Sequence, residues 1–142
     1  MESITLAIIL LLVIVLVYIF FFRKSKEARE KKSYYLKRFL RNKEQSLKHI
    51  HQVEALAIEN NCWDKKTFTD KDVTFRDYLE LLKNKYDKDY SEISYQVLKR
   101  NKLTQSQKQE YTKKLIEQSE DLYLMEVDLA TLNKNWRTTV TS

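Results

Sequence analysis

Glycine and proline are both absent from the 142 residues of this chain. Average usage of about 7% and 5% would give roughly ten glycines and seven prolines. Turns that need a positive φ or a preset kink are therefore scarce, and we predict an all-α chain whose helices are joined by Asn, Asp, Ser and Thr turns. The same absence excludes glycine-rich phosphate loops, the GxGxxG dinucleotide turn and the nucleophile elbow, because each needs glycine backbone.

The apolar run from Ile4 to Phe22 is interrupted only by the polar Thr5. Nineteen helical residues reach roughly 28 Å, close to the ~30 Å hydrocarbon core of a bilayer. A cleaved signal peptide would begin with basic residues and end in small ones, whereas this run follows Met-Glu-Ser and ends in aromatic residues. We predict a retained transmembrane anchor over residues 1–22, with candidate anchor residues Ile4, Leu10, Ile14, Tyr18 and Phe22. Within the run there is no ionisable Asp, Glu, Lys, Arg or His, so transport by this span is not expected.

A basic segment follows the apolar run directly, whereas no Lys or Arg precedes it. Because Lys and Arg resist translocation, we expect a short N-terminus outside and the remainder inside, facing the cytosol or an organellar interior. Residues 23–33 are predicted to form a helical stalk. Its cations are candidate ligands for lipid headgroups: Arg23, Lys24, Lys26, Arg29, Lys31 and Lys32.

Charge is unevenly distributed along the chain. Residues 23–48 hold eleven basic and three acidic residues, whereas residues 49–142 hold fifteen basic and sixteen acidic ones. The net charge of +6 therefore belongs to the membrane-proximal segment. A nucleic-acid-binding domain would carry its cations on the folded body, so we predict membrane lipid as a partner and no nucleic acid.

Residues 34–136 are predicted to form a small antiparallel bundle of three to four helices, followed by a frayed tail at 137–142. The first packing helix runs to about Asn60, where Asn60-Asn61 is a plausible stop. Residues 62–72 are predicted to be a loop, and the next helix covers about 73–88. Capping patterns at 89–92 and 104–107 predict two further helices, the last from Gln105 to about 134. The apolar positions expected to face inward on the first helix are Leu36, Phe39, Leu40, Leu47, Ile50, Val53, Ala57 and Ile58.

The last helix has the most regular apolar pattern of the chain outside the span. One row alternates in steps of four and three: Tyr111, Leu115, Gln118, Leu122, Met125, Leu129, Leu132 and Trp136. A second row lies about 100° around the same helix: Ile116, Tyr123, Val127 and Ala130. A two-stranded coiled coil needs one narrow row, so two rows favour a helix with neighbours on two sides. Self-association or partner binding through this helix stays open, and its candidate interface residues are Leu115, Leu122, Met125, Leu129, Leu132 and Trp136.

Candidate catalytic or metal-binding residues are few. On a helix, His49 and His51 point about 200° apart and do not converge on one metal. Cys62 is the only cysteine and is interpreted as a buried loop anchor on a reducing side of the membrane. The Asp-Lys-Asp triplets at 70–72 and 87–89 are interpreted as helix caps. We predict no enzyme, no metal site and no cofactor.

The layout resembles the b subunit of rotary ATP synthases: an outside N-terminus, one span, a basic stalk and a helical inner domain. The chain departs from that subunit's single Ala- and Glu-rich helix through its capping boxes, loops and many aromatics. The layout also resembles bacterial division and secretion scaffolds. Our first hypothesis is a non-catalytic scaffold or accessory subunit of a membrane-associated complex, presenting helix faces on the inner side. The alternatives are a regulatory module whose basic stalk binds anionic lipid, an enzyme, and an inverted topology similar to phage lysis spanins.

Overall fold

The computed structural model describes the backbone of residues 2–68, 71–100 and 103–140, and the side chains of 6–68, 72–100 and 103–135. The described part is mostly helical, as predicted. The chain divides into two compact units, Met1–Tyr34 and Tyr35–Ser142. In chain order the elements are α1 (Glu2–Glu59), β1 (Lys66–Phe68), β2 (Lys71–Thr74), α2 (Phe75–Asp89), α3 (Glu92–Lys99) and α4 (Gln105–Val140).

The first unit consists of the N-terminal part of α1. Its large apolar side chains from Leu6 to Phe22 are each 44–68% exposed. None of its most apolar 18-residue window is buried within the protein, and the mean hydropathy of that window is 3.0. The helix is therefore long and apolar enough to cross a membrane.

A single left-handed residue ends α1. Asn61 has a φ of +46°. The Cys62 amide donates to the Ala57 carbonyl at 3.1 Å, and the Asn61 amide donates to the Ile58 carbonyl at 3.2 Å. This pair of bonds is a Schellman motif, which usually takes glycine at the left-handed position. In a chain without glycine, Asn is the residue that fills it at least cost, and the predicted stop at Asn60-Asn61 is confirmed.

We expect Asn61→Ala to lower the free energy of unfolding by about 1 kcal/mol, because Cβ of most residues clashes with the backbone in the left-handed conformation. Asn61→Gly, which has no Cβ, should stay within about 0.5 kcal/mol of the native chain. Urea unfolding of the full chain in detergent micelles, followed by tryptophan fluorescence, measures both values. Equal destabilisation by the two substitutions would show that the positive φ is not the constraint at this position.

The segment expected to be a loop contains a short β-hairpin, so the all-α prediction is wrong at this point. Strands β1 and β2 pair antiparallel, with Lys66 opposite Thr74 and Phe68 opposite Lys71 and an irregularity between these pairs. The Thr67 hydroxyl donates to the Val73 carbonyl at 2.8 Å. Phe68 is buried and meets the Tyr78 ring edge-on at a centroid distance of 5.4 Å. The hairpin thus places an aromatic side chain in the core and leads directly into α2.

Helix α2 begins with a capping box formed by Thr74 and Asp77, which was not predicted. The Asp77 amide donates to the Thr74 hydroxyl at 3.2 Å, and the Thr74 amide donates to the Asp77 carboxylate at 3.3 Å. The interpretation of the two Asp-Lys-Asp triplets as caps is wrong for their described members. Asp72 lies in β2 and pairs with Lys66 at 2.7 Å, and residues 87–89 form the C-terminal end of α2. Asp70 lies outside the described residues.

A helix follows each of the other two predicted capping patterns, but the first is capped by Ser91 and not by Asp89, which ends α2. Ser91 is the N-cap of α3, and its hydroxyl accepts from the Ser94 amide at 3.3 Å. At the start of α4, the Gln107 amide donates to the Thr104 hydroxyl at 3.2 Å, and the Thr104 amide donates to the Gln107 side-chain oxygen at 3.0 Å. Helix α4 continues to Val140, beyond the predicted end near residue 134 and into the segment expected to be a frayed tail.

The core of the second unit consists of two hydrophobic clusters. The first joins α1, the hairpin, α2 and α4 and includes Val53, Ala57, Phe75, Leu82 and Leu122. The second joins α1, the end of α2, α3 and α4: its buried members are Phe39, Tyr90, Leu98, Tyr111 and Leu115.

Buried polar residues occupy the α1 and α4 positions that lie between the two clusters in sequence. Asn42, Ser46 and Gln118 are 4%, 2% and 6% exposed. The Asn42 amide donates to the Gln118 side-chain oxygen at 3.4 Å, and Gln118 donates to the Asp89 carbonyl at 3.2 Å. A buried amide pair needs its partner at one position along the facing helix, so this contact fixes the register of α1 against α4.

The predicted inward face of α1 is correct in part. Phe39, Ile50, Val53 and Ala57 are buried as expected, whereas Leu40, Leu47 and Ile58 are 43%, 39% and 62% exposed. Polar residues take up positions on the buried face that were expected to be apolar: Asn42, Ser46 and His49.

Candidate membrane anchor and interaction surfaces

The described candidate anchor residues are spaced four apart and lie along one broad side of the first part of α1. Leu10, Ile14, Tyr18 and Phe22 are 61%, 60%, 67% and 63% exposed. The Tyr18 and Phe22 rings stack at a centroid distance of 6.0 Å. The side chain of Ile4 lies outside the described residues. The other large apolar side chains between Leu6 and Phe22 are exposed as well, and apolar side chains exposed all around a helix suit an apolar surrounding such as a bilayer.

The basic segment after this run exposes its cations. Arg23, Lys24, Lys26, Arg29 and Lys31 are exposed, and Lys32 is half-buried. The Lys24 ammonium lies 4.9 Å from the centroid of the Phe20 ring, one helical turn back toward the apolar run. Such a cation–aromatic contact is compatible with a side chain at a membrane–water boundary.

The candidate interface residues of α4 lie mainly in the core of the second unit. Leu115, Leu122, Met125 and Leu132 are 3%, 6%, 8% and 2% exposed. Leu129 is half-buried against the first cluster. The side chain of Trp136 lies outside the described residues. This row therefore packs within the chain, and its buried members are covered by the chain's own helices.

The second apolar row of α4 is exposed, so the prediction that it has a neighbouring helix within the bundle is wrong. Ile116, Tyr123 and Val127 are 51%, 66% and 45% exposed, Leu124 beside them is 58% exposed, and Ala130 is also exposed. We call Ile116, Tyr123, Leu124 and Val127 the α4 outer row. Its spacing was visible in the sequence, but periodicity alone does not say which of two rows is covered.

A second exposed apolar row lies on α1 within the second unit. It consists of Leu40 and Leu47, and we call it the α1 outer row. A shallow groove of about 400 Å³ runs along this side of the helix from Glu44 to Ala55, and Leu47 lines it. These leucines were predicted to face the core, and their exposure is the feature of α1 that sequence reasoning missed.

A charged cleft of about 730 Å³ separates α2 and the start of α3 from α4. Lys85 and Asp121 form an ion pair at 2.7 Å on its wall. Burial raises the pKa of the Asp89 carboxyl, and the nearby Lys85 opposes that shift. Four acidic and three basic side chains line the cleft, so neither sign of charge dominates it: Lys85, Lys88, Asp89, Lys114, Glu117, Glu120 and Asp121.

The histidines and the cysteine are dispersed. His49 is buried with Nδ1 at 2.8 Å from the Gln45 carbonyl, whereas His51 is exposed and lies 3.7 Å from Glu54. Cys62 is 1% exposed, as predicted for a loop anchor, and burial raises the pKa of its thiol. Within the described residues, no group of three or more His, Cys, Asp or Glu side chains is placed to hold a metal ion.

These surfaces were compared with known proteins at three levels. No protein-family model, no curated protein and no solved structure matches the chain.

Proposed function

We propose that this protein is a non-catalytic scaffold or accessory subunit, held in a membrane by α1, that presents helix faces to other subunits of a membrane-associated complex. The observation that carries the proposal is the combination of two kinds of exposed apolar surface. Residues 6–22 expose large apolar side chains all around the helix, which suits lipid. The α4 outer row exposes them along one stripe, which suits a protein partner.

We infer a single-pass topology with the short N-terminus outside and the second unit inside, at a cell inner membrane or an organellar inner membrane. Six Lys or Arg follow the apolar run within ten residues and none precedes it. This asymmetry is the signal that orients single spans.

We further infer that α1, α2 and α4 form a bundle in the second unit. Side chains link the helices in pairs: Tyr35 to Thr112 at 3.1 Å, Tyr78 to Asp128 at 2.8 Å and Lys83 to Glu54 at 3.0 Å. From Tyr35–Thr112 to Asn42–Gln118, the residue numbers of α1 and α4 rise together. From Tyr78–Asp128 to Lys85–Asp121, the residue numbers of α2 rise while those of α4 fall. The three long helices therefore run up, down and up, a rigid arrangement suited to holding a docking face in place.

The proposal is tested by purifying the full chain with a C-terminal tag from its native membrane in mild detergent. We expect a stoichiometric partner to co-purify, and Tyr123→Glu with Val127→Glu to release it by charging the α4 outer row. Ile93→Glu is the matched control, because Ile93 is 78% exposed on α3 and outside the row. A chain that runs as a free monomer at every detergent level would end the scaffold proposal.

A second candidate function is a regulatory module that responds to anionic lipid, favoured by the five exposed cations between Arg23 and Lys31. Each cation near an anionic surface contributes about 1 kcal/mol, and salt screens this attraction. The same purification discriminates the two functions. Under regulation by lipid, partner recovery changes when the membrane is reconstituted with neutral lipid in place of anionic lipid, whereas a scaffold keeps its partner.

A further inference from the structure

We propose that one partner of the second unit is a second copy of this chain, bound through unlike faces: the α1 outer row of one copy packs on the α4 outer row of the next. The inference rests on the proposed function in one respect, since a shared membrane places the second units of all copies on the same side of the bilayer. It adds to that function the identity of a partner and the two surfaces that meet.

The two rows match in height along the domain. The Asn42–Gln118 hydrogen bond joins α1 to α4 at a separation of 76 residues, and Leu40–Ile116 and Leu47–Tyr123 have that same separation. In the proposed contact the second units of two copies lie side by side in the same direction, so α1 of one copy is parallel to α4 of the next. Leu40 of one copy then faces Ile116 of the next, and Leu47 faces Tyr123.

The two rows also match in charge. Around the α1 outer row, residues 35–48 hold five basic side chains and one acidic one. Around the α4 outer row, residues 116–127 hold four acidic side chains and no basic one. Some of these are already used, since Arg38 donates to Ser119 and Asp121 pairs with Lys85.

Flanking charges without a partner remain on both rows. Among the described residues, Lys37, Arg41 and Lys48 near α1 have no ion-pair partner in their own copy, and neither do Glu120 and Glu126 on α4. Opposite charges at the rim of an apolar contact favour one pairing and disfavour others.

The charges also decide against a symmetric contact. If two α4 outer rows faced each other, Glu120 and Glu126 of one chain would lie close to the same carboxylates of the other. If two α1 outer rows faced each other, their flanking cations would meet. Like charges at such positions cost binding energy, so the unlike pairing is favoured.

A contact between unlike faces leaves one free face on each end and extends into chains or rings in the plane of the membrane. Confinement to that plane raises the effective concentration, so a small contact suffices.

The test uses cysteine cross-linking of the full chain in liposomes. One copy carries Leu47→Cys and one tag, and the other carries Tyr123→Cys and a different tag. After treatment with a short bismaleimide, we expect a cross-linked species that contains both tags and little product from either variant alone. Cys62 is kept in both variants. Its side chain is only 1% exposed, so the native chain, which has no other cysteine, measures the background cross-linking. Ile93→Cys paired with Tyr123→Cys is the control for random collision.

A charge exchange sharpens the result. Lys48→Glu in the first copy should lower the cross-link yield roughly fivefold, which corresponds to about 1 kcal/mol in a binding constant. Glu126→Lys in the second copy should restore it. Equal cross-linking by Leu47→Cys alone or Tyr123→Cys alone would overturn the unlike pairing, and a yield no higher than the Ile93→Cys control would overturn the contact itself. Alkaline carbonate extraction of the same vesicles measures membrane insertion separately. If the anchor fails, the protein is extracted. If only the contact between copies fails, the protein resists extraction but is not cross-linked.

Discussion

Lysine substitutions at Leu11 and Val15 should release the protein from the membrane. Both side chains lie in the middle of the exposed apolar part of α1, at 64% and 44% exposure. A lysine at the centre of a span costs about 2.5–3.5 kcal/mol on insertion scales, and neither position is near enough to an end to reach water easily. We expect the native chain to resist alkaline carbonate extraction and the doubly substituted chain to appear in the soluble fraction.

The matched control places the same two lysines at Leu81 and Ile93, which are 57% and 78% exposed in the second unit. This variant carries the same added charge and should remain in the carbonate-resistant pellet. If lysines at positions 11 and 15 leave extraction unchanged, residues 6–22 are not the anchor. The topology inferred from the basic residues after Phe22 would then lose its basis.

Leu82→Ala should destabilise the second unit by about 2–5 kcal/mol, the range for removing a buried leucine side chain and leaving a cavity. Leu82 is 3% exposed in the first cluster, whereas its neighbour Leu81 is 57% exposed. Leu81→Ala removes the same atoms from the same helix and should cost less than about 1 kcal/mol. The pair therefore separates the effect of burial from that of helix propensity.

Urea unfolding of the full chain in detergent micelles measures this difference, with tryptophan fluorescence as the signal because Trp63 packs against the first cluster. The α1 apolar run stays in the micelle and contributes equally to both variants. Similar losses of stability for Leu81→Ala and Leu82→Ala would contradict the assigned orientation of α2. The side of α2 that faces α4 would then have to be reassigned.

Local signals along the chain were readable without the structure. The capping pattern at Thr104 and Gln107 predicted the start of α4, and Asn60-Asn61 predicted the end of α1. Each depends on hydrogen bonds within a few residues, so the chemistry is complete in the local sequence. The row through Leu115, Leu122 and Leu132 was also recognisable as one side of a helix, because its period matches a helix over several turns. Whether that side faces the core or a partner was not readable.

Features that depend on tertiary context were not readable. The hairpin strands have only three and four residues, and burial of Phe68 against Tyr78 supports them. Such short segments carry too few positions for a period of two to stand out. The exposed state of Leu47 and Tyr123 depends on which rows find neighbours, and no pattern within one helix reveals that. Thr74 caps α2, and Asp72 does not, because Asp72 lies within strand β2 and the helix begins only after that strand.

The register between α1 and α4 has a consequence for how the protein is made. Side chains that meet across these helices are separated by 76–81 residues, and α1 leaves the ribosome first. The face of α1 around Phe39 and Val53 therefore has no cover from α4 until the end of the chain has been synthesised. Long loops of this kind close slowly compared with the formation of a single helix. Folding of the second unit is thus completed only after the last helix is synthesised.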